Sequence, residues 1–173
     1  MQRTIFYSWQ SDSTNGTNRS FIEKALNNAA RAISGDKTIK FEVSVDRDTV
    51  GLAGSPDISH AIFTKIDKAD IFVADVTIVN SQGTGRKMPN PNVLIELGYA
   101  IHALGFEKIL LVFNTAYGII EDLPFELRQK RVMGYQAASG EADRSASRTA
   151  LEKQLEQAIR GCCTTNPHKT NLD

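Results

Sequence analysis

Apolar positions along the chain alternate between two rhythms. Short continuous apolar runs recur at intervals, and between them apolar residues return every three or four positions. Thr4 to Ser8 (Thr-Ile-Phe-Tyr-Ser) is β-rich and predicts a first strand. Phe21, Ile22, Ala25, Leu26, Ala29, Ala30 and Ile33 then recur at helical spacing, with Ser20 and Glu23 forming a capping-box pattern and Gly35 at the end. Residues 39–45 alternate apolar and polar, as a half-exposed strand does. Ser55-Pro56 predicts a helix start, with Ile58, Ala61, Ile62, Ile66 and Ala69 as its buried face. Ile71 to Val76 is continuously apolar but for Asp75, the mark of a strand covered on both faces.

A polar stretch, Thr77 to Asn90, reads as a long flexible loop. It leads into Asn90-Pro91-Asn92-Val93-Leu94-Ile95-Glu96-Leu97-Gly98-Tyr99-Ala100. Asn90 or Asn92 can cap this helix, Pro91 suits its first turn, and Gly105 can close it. The stretch is apolar almost all round, which predicts a buried helix with a single awkward carboxylate, Glu96. Ile109 to Phe113 is a further buried strand, residues 121–130 a short helix, and Val132 to Gln136 a weaker strand at an edge. Leu151, Leu155, Ala158 and Ile159 mark the last helix. Five strands alternating with five helices predict an α/β, flavodoxin-like, doubly wound fold: a mainly parallel five-stranded sheet of order 2-1-3-4-5 with helices on both faces. Residues 1–160 are expected to form one domain and residues 161–173 a flexible C-terminal tail.

Composition narrows the classes further. The 173 residues are 41% hydrophobic and 23% charged, as in an ordinary globular domain. Lys plus Arg and Asp plus Glu both number 20, so no basic excess points to nucleic acid or an anionic membrane surface. No run approaches the roughly 20 apolar residues of a membrane span, and the N-terminus lacks a signal peptide's apolar core. The two cysteines, Cys162 and Cys163, are adjacent and without partners elsewhere, which suits a reducing compartment. A cytoplasmic location is the expectation. His60, His102 and His168 share no metal-ligand spacing, so no metal site is expected.

In a doubly wound sheet, ligands bind beyond the carboxyl ends of the strands at the switch point. The predicted strands deliver Tyr7-Ser8-Trp9-Gln10, Asp46-Arg47-Asp48 and Asp75 there, and Glu96 follows on the next helix. Each has a plain structural alternative. Trp9 can pack rather than stack, Asp75 can cap a turn, Arg47 can sit in a solvated cluster, and Glu96 can be a buried acid satisfied by amides or an arginine. The chain lacks G-x-G-x-x-G, G-x-x-x-x-G-K-[ST] and G-x-S-x-G, which removes support for hydride, phosphoryl and acyl transfer. A lone carboxylate in a largely apolar mouth suits glycosidic-bond chemistry, where it faces an oxocarbenium-like transition state.

Four blocks carry a family resemblance: Ile5-Phe6-Tyr7-Ser8-Trp9-Gln10-Ser11-Asp12, Asp46-Arg47-Asp48, Ala69 to Val76, and Asn90 to Ala100. Together with Leu123-Pro124-Phe125-Glu126-Leu127-Arg128 they resemble bacterial TIR-like proteins described as nucleotide-binding, over roughly residues 4–136. That resemblance implies an NAD+ glycohydrolase, with NAD as substrate rather than cofactor, acting as an effector in anti-phage defence. It further implies self-association through TIR–TIR contacts, and a sensor protein as partner.

The resemblance makes Glu96 the catalytic carboxylate, with Ser8, Trp9, Arg47, Asp75 and Asn92 binding substrate. In this reading Ser8 and Trp9 line the nicotinamide end, Arg47 meets the pyrophosphate, and Asp75 and Asn92 orient the sugar or Glu96. The Ala-Asp block followed by Glu-Leu-Gly-x-Ala also resembles nucleoside 2-deoxyribosyltransferases, which use the glutamate as nucleophile. A non-catalytic nucleotide-binding or TIR interaction module is the remaining alternative. The chain departs from both families: Asn92 stands where many TIR enzymes carry tryptophan, and Asn90 where deoxyribosyltransferases carry aspartate.

Overall fold

The computed structural model describes residues 1–46 and 58–164. Five strands lie in one all-parallel sheet of order β2-β1-β3-β4-β5: β1 (Gln2–Ser8), β2 (Glu42–Asp46), β3 (Ile71–Asp75), β4 (Ile109–Asn114) and β5 (Val132–Tyr135). The helices are α1 (Arg19–Gly35), α2 (Ile58–Asp67), α3 (Pro91–Leu104), α4 (Phe125–Arg128) and α5 (Ser145–Thr164). This is the flavodoxin-like arrangement expected from the alternating pattern.

Strand parity sorts the core into two layers, because successive side chains point to opposite faces. Ile5, Tyr7, Ile71, Val73, Leu110 and Val112 pack against α1 and α5. Phe6, Phe72, Ala74, Leu111 and Phe113 pack against α2, α3 and α4. β3 is buried at every residue, as a central strand covered on both sides must be.

The chain leaves β1 toward one face and β3 toward the other. α1 covers the first face and α3 the second, so a crevice opens between their starts at the carboxyl ends of β1 and β3.

Several local expectations are corrected. The second strand begins at Glu42 rather than residue 39, since Ile39 is tied into a turn by its amide to the Asp36 carbonyl. The capping box on α1 does not form. Ser20 bonds Asn15 instead, and the residue before the helix, Asn18, turns its side chain inward. Ile66 on α2 and Ala69 just beyond it are buried as expected, while Ile58 is 57% exposed. The Ser55-Pro56 cap lies outside the described residues. The fourth helical segment divides into a 3-10 turn (Ile120–Asp122) and α4, because Pro124 interrupts it.

The polar stretch before α3 is an ordered hairpin rather than a loose loop. Ile78 and Pro89 form an antiparallel bridge, and Asn80 bonds the Arg86 carbonyl and the Met88 amide. The Lys87 ammonium donates to the carbonyls of Asn80, Ser81 and Gly83, closing the tip. At the other end of the chain, α5 continues through Gly161 to Thr164, and Cys162 and Cys163 pack partly against the α1–α5 layer. The tail expected from residue 161 therefore begins as helix. Among the described residues, no helix is long and apolar enough to cross a membrane.

Candidate functional site

α3 brings Glu96 to the crevice. Asn90 caps the helix as expected: its Oδ1 accepts from the amides of Asn92 (2.8 Å) and Val93 (3.3 Å). Its Nδ2 donates to Asp12 Oδ2 on the loop after β1, at 2.5 Å. One side chain thus pins the helix start to the strand-end loop. The cap also occupies first-turn amides that a phosphate would otherwise seek at a helix N-terminus. Gly105 closes the helix at φ +80°, a left-handed conformation, and a Cβ there would lie 2.6 Å from Glu107 Oε1.

The helix is not buried all round. Val93, Leu97 and Ala100 face the sheet, whereas Asn92 is exposed and Ile95 is 60% exposed. Glu96 sits on the flank between these faces and is half-buried. The sheet can cover only one side of α3. The other side borders α2 and open space.

Ser8, the last residue of β1, has the parity of Phe6 and points to the α3 face. Its Oγ donates to Glu96 Oε2 at 2.6 Å, a short contact typical of a hydroxyl on a carboxylate. Around this pair lies a cavity of about 200 Å3 lined by Ser8, Trp9, Gln10, Ser11, Asn90, Asn92 and Glu96 among others. Trp9 and Glu96 therefore share one cleft. Trp9 reaches it from the rim: it has the parity of Tyr7, packs on the α1 side, and carries the Arg19 guanidinium 3.5 Å from its ring centre. One indole face is occupied by that cation.

Asp75 stands elsewhere. It shares the parity of Ile71 and Val73, so its side chain lies on the α1–α5 face, opposite the layer of α3. It is fully buried and accepts bonds from Asn18 Nδ2 (3.0 Å), Gln10 Nε2 (3.4 Å) and the Thr77 amide (3.1 Å). Burial pushes its carboxyl above the usual range, with the bonds from Thr77, Asn18 and Gln10 pulling against that. Asn18 continues to Thr77 and accepts from Asn114, which also bonds Ala137, so the network links the carboxyl ends of β1, β3, β4 and β5. Among the described residues, the hydrogen bonds of Asp75 reach the cleft lining through Gln10. Arg47 lies outside the described residues, β2 ending at Asp46, which pairs with Lys65 at 2.9 Å.

A second lobe opens on the other side of Glu96, between α2 and α3. Its volume is about 240 Å3, and Ile58, Ser59, Ile62, Phe63 and Ile95 line it with Asn92 and Glu96. Ile62, Asn92 and Glu96 belong to both lobes. Periodicity alone does not reveal this lobe, since Ile58 and Ile95 look like ordinary core positions. Gln10, Ser11 and Asn90 are further cleft residues, and the polar residues ending the apolar runs at Ser8, Asp75 and Asn114 were a readable signal for the strand-end layer.

Glu96 is the sole carboxylate among the described residues lining the two lobes, and those described residues include no Lys, Arg or His. No group of three or more metal-ligating side chains occurs among the described residues. The arrangement offers one anion, oriented by a hydroxyl, beside an apolar wall. Compared with models of known protein families and with curated protein sequences, the chain matches none.

Proposed function

We propose that the protein is an NAD+ glycohydrolase that cleaves the nicotinamide–ribose bond at Glu96. The observation that carries this reading is the 2.6 Å bond from Ser8 Oγ to Glu96 Oε2 at the switch-point cleft, with Glu96 the sole described carboxylate lining it. A neutral base needs a proton donor to leave a sugar. A pyridinium is already cationic and leaves neutral, taking the bonding pair, so one carboxylate is enough. As the C–N bond lengthens, positive charge spreads over the anomeric carbon and ring oxygen, and Glu96 stabilises it. Water then bonds the anomeric carbon and releases a proton. Ser8 holds the carboxylate in place before the charge develops, which removes a reorganisation cost. Asn92, one turn before Glu96 on α3, offers its side-chain amide to the ribose hydroxyls.

We further propose, from the resemblance of the blocks around Ser8 and Glu96 to TIR-like proteins, a role as a defence effector that self-associates and answers to a sensor protein. The adjacency of Cys162 and Cys163, the two cysteines of the chain, supports a reducing cytoplasm as its setting. A second reading, nucleoside cleavage or 2-deoxyribosyl transfer, is favoured by the Ala-Asp block ending at Asp75 followed by Glu96-Leu97-Gly98-Tyr99-Ala100, which resembles nucleoside 2-deoxyribosyltransferases. Incubating the protein separately with NAD+ and with deoxyadenosine plus a free pyrimidine base tests the choice. Nicotinamide release without base exchange is the expected outcome. Base exchange without NAD+ loss reverses the order, and ligand binding without turnover in any oligomeric state leaves a non-catalytic module.

A further inference from the structure

We infer that the α2–α3 lobe is the subsite for the aromatic base and that the lobe beside β1 takes the sugar, so that Ile58 and Ile95 determine which bases are accepted. The inference rests on the N-glycosidic reading and goes beyond it by assigning the two ends of the substrate.

Size comes first. Ligand pockets usually span roughly 300–1,000 Å3. At about 200 and 240 Å3 each lobe is below that range alone, and only the two together enter it. Ile62, Asn92 and Glu96 line both, so a ligand reaching from one lobe to the other lies beside the carboxylate.

Chemistry then sets the direction. In the β1 lobe Ser11 and Asn92 present side chains bonded to no other described side chain, which suits a polyol, while Ser8, Gln10 and Asn90 add polar surface already engaged within the protein. Ile58, Ile62, Phe63 and Ile95 give the other lobe aliphatic and aromatic walls that match a flat ring. The far end of that lobe is built rather than open. Phe63 stacks on Tyr99 with ring centres 4.3 Å apart, and the Tyr99 hydroxyl is held by both oxygens of Asp67 at 2.9 and 3.0 Å.

Exposure points the same way. Ile58 and Ile95 are 57% and 60% exposed although they flank a concave surface, and ring contact would remove that apolar area from water. Trp9 is the less suitable platform because Arg19 already covers one of its faces. This assignment reverses the expectation that Ser8 and Trp9 line the nicotinamide end. With described walls that are mostly apolar, recognition is by shape and contact rather than by the hydrogen-bonding edge of the base. Pyridine and purine bases are both accommodated in kind.

Two measurements on the full chain test this. In the first, free nicotinamide, free adenine and ribose are titrated separately into isotope-labelled protein and amide shifts are followed. The bases are expected to move Phe63 and Ile95, and ribose to move Ser8 to Ser11. In the second, Ile58→Ser and Ile95→Ser, both exposed and so tolerated by the fold, are expected to raise the KM for NAD+ and the nicotinamide inhibition constant in parallel, each about tenfold. Nicotinamide shifts confined to Ser8–Ser11, or unchanged nicotinamide inhibition in both variants, overturn the assignment. Shifts at Ile58 and Ile95 that follow protein concentration instead of added base also overturn it, by making the lobe an interface with a second copy. Absence of NAD+ turnover sinks the glycohydrolase reading alone, because the titration reads the lobe without catalysis.

Discussion

Replacing Ser8 by alanine separates a role in catalysis from a role in folding. Ser8 is 2% exposed, and its hydroxyl makes one bond, to Glu96, at 2.6 Å. A hydrogen bond to a charged group contributes about 1.5–3 kcal/mol, and each 1.4 kcal/mol is about tenfold in rate. If the bond holds Glu96 where positive charge develops, Ser8→Ala lowers kcat for nicotinamide release by roughly 10- to 100-fold. The stability cost is smaller, about 0.5–1.5 kcal/mol, because Glu96 is half-buried and water can reach it in the variant. The assay is steady-state nicotinamide release from NAD+ beside urea unfolding, on wild type and variant at matched oligomeric state. The expectation is a large fall in kcat with little change in KM and a small shift in unfolding midpoint. A variant with wild-type kcat and wild-type stability would show that the contact is incidental, and the orientation argument would fail.

Two further outcomes follow from the same geometry. Asp12→Asn and Asn90→Asp are each expected to lower kcat by unpinning the α3 start from the β1 loop, while the double swap restores activity, since aspartate caps a helix as well as asparagine and the pair can bond in reverse; a double variant no better than the singles refutes the clamp. Asp36 and Asp75 should pull the pH dependence of stability in opposite directions. The Asp36 carboxyl is lowered from an ordinary 3.8 to about 2, chiefly by bonds from Thr38 and then Arg160, so its contribution is present above the ordinary value and lost as pH falls through about 2. The Asp75 carboxyl is raised by burial, so the folded protein holds its proton more tightly, and stability falls as pH rises past the ordinary carboxylate value. Unfolding curves across acid pH should show the first slope vanish in Asp36→Asn and the second in Asp75→Asn.

The layout of the sheet was legible because its signals are local. Continuous apolar runs mark β3 and β4, and Asn90, Pro91 and Gly105 punctuate α3. Much of the site was legible as well, since Ser8 and Glu96 occupy a strand end and the helix beyond the switch point. Asp75 was misplaced for a reason the chain already contained: it shares the parity of Val73 and alternates with Ala74, and so belongs to the α1–α5 face. Asn18 was hidden because an asparagine before a helix reads as a cap, whereas a buried carboxylate competes for its amide and wins. The exposure of Ile58 and Ile95 was hidden too, because periodicity marks a helix's apolar stripe without showing how much of it a neighbour covers.

The central claim is that Glu96 performs the cleavage, and Glu96→Gln tests it most directly. Glutamine keeps the shape and an oxygen to accept from Ser8 but removes the charge. Nicotinamide release from NAD+ should be measured with both proteins at the same concentration and the same oligomeric state. The account predicts that wild type releases nicotinamide and that the variant, folded and of equal stability, is slower by at least about 100-fold. A variant that releases nicotinamide at the wild-type rate would contradict it.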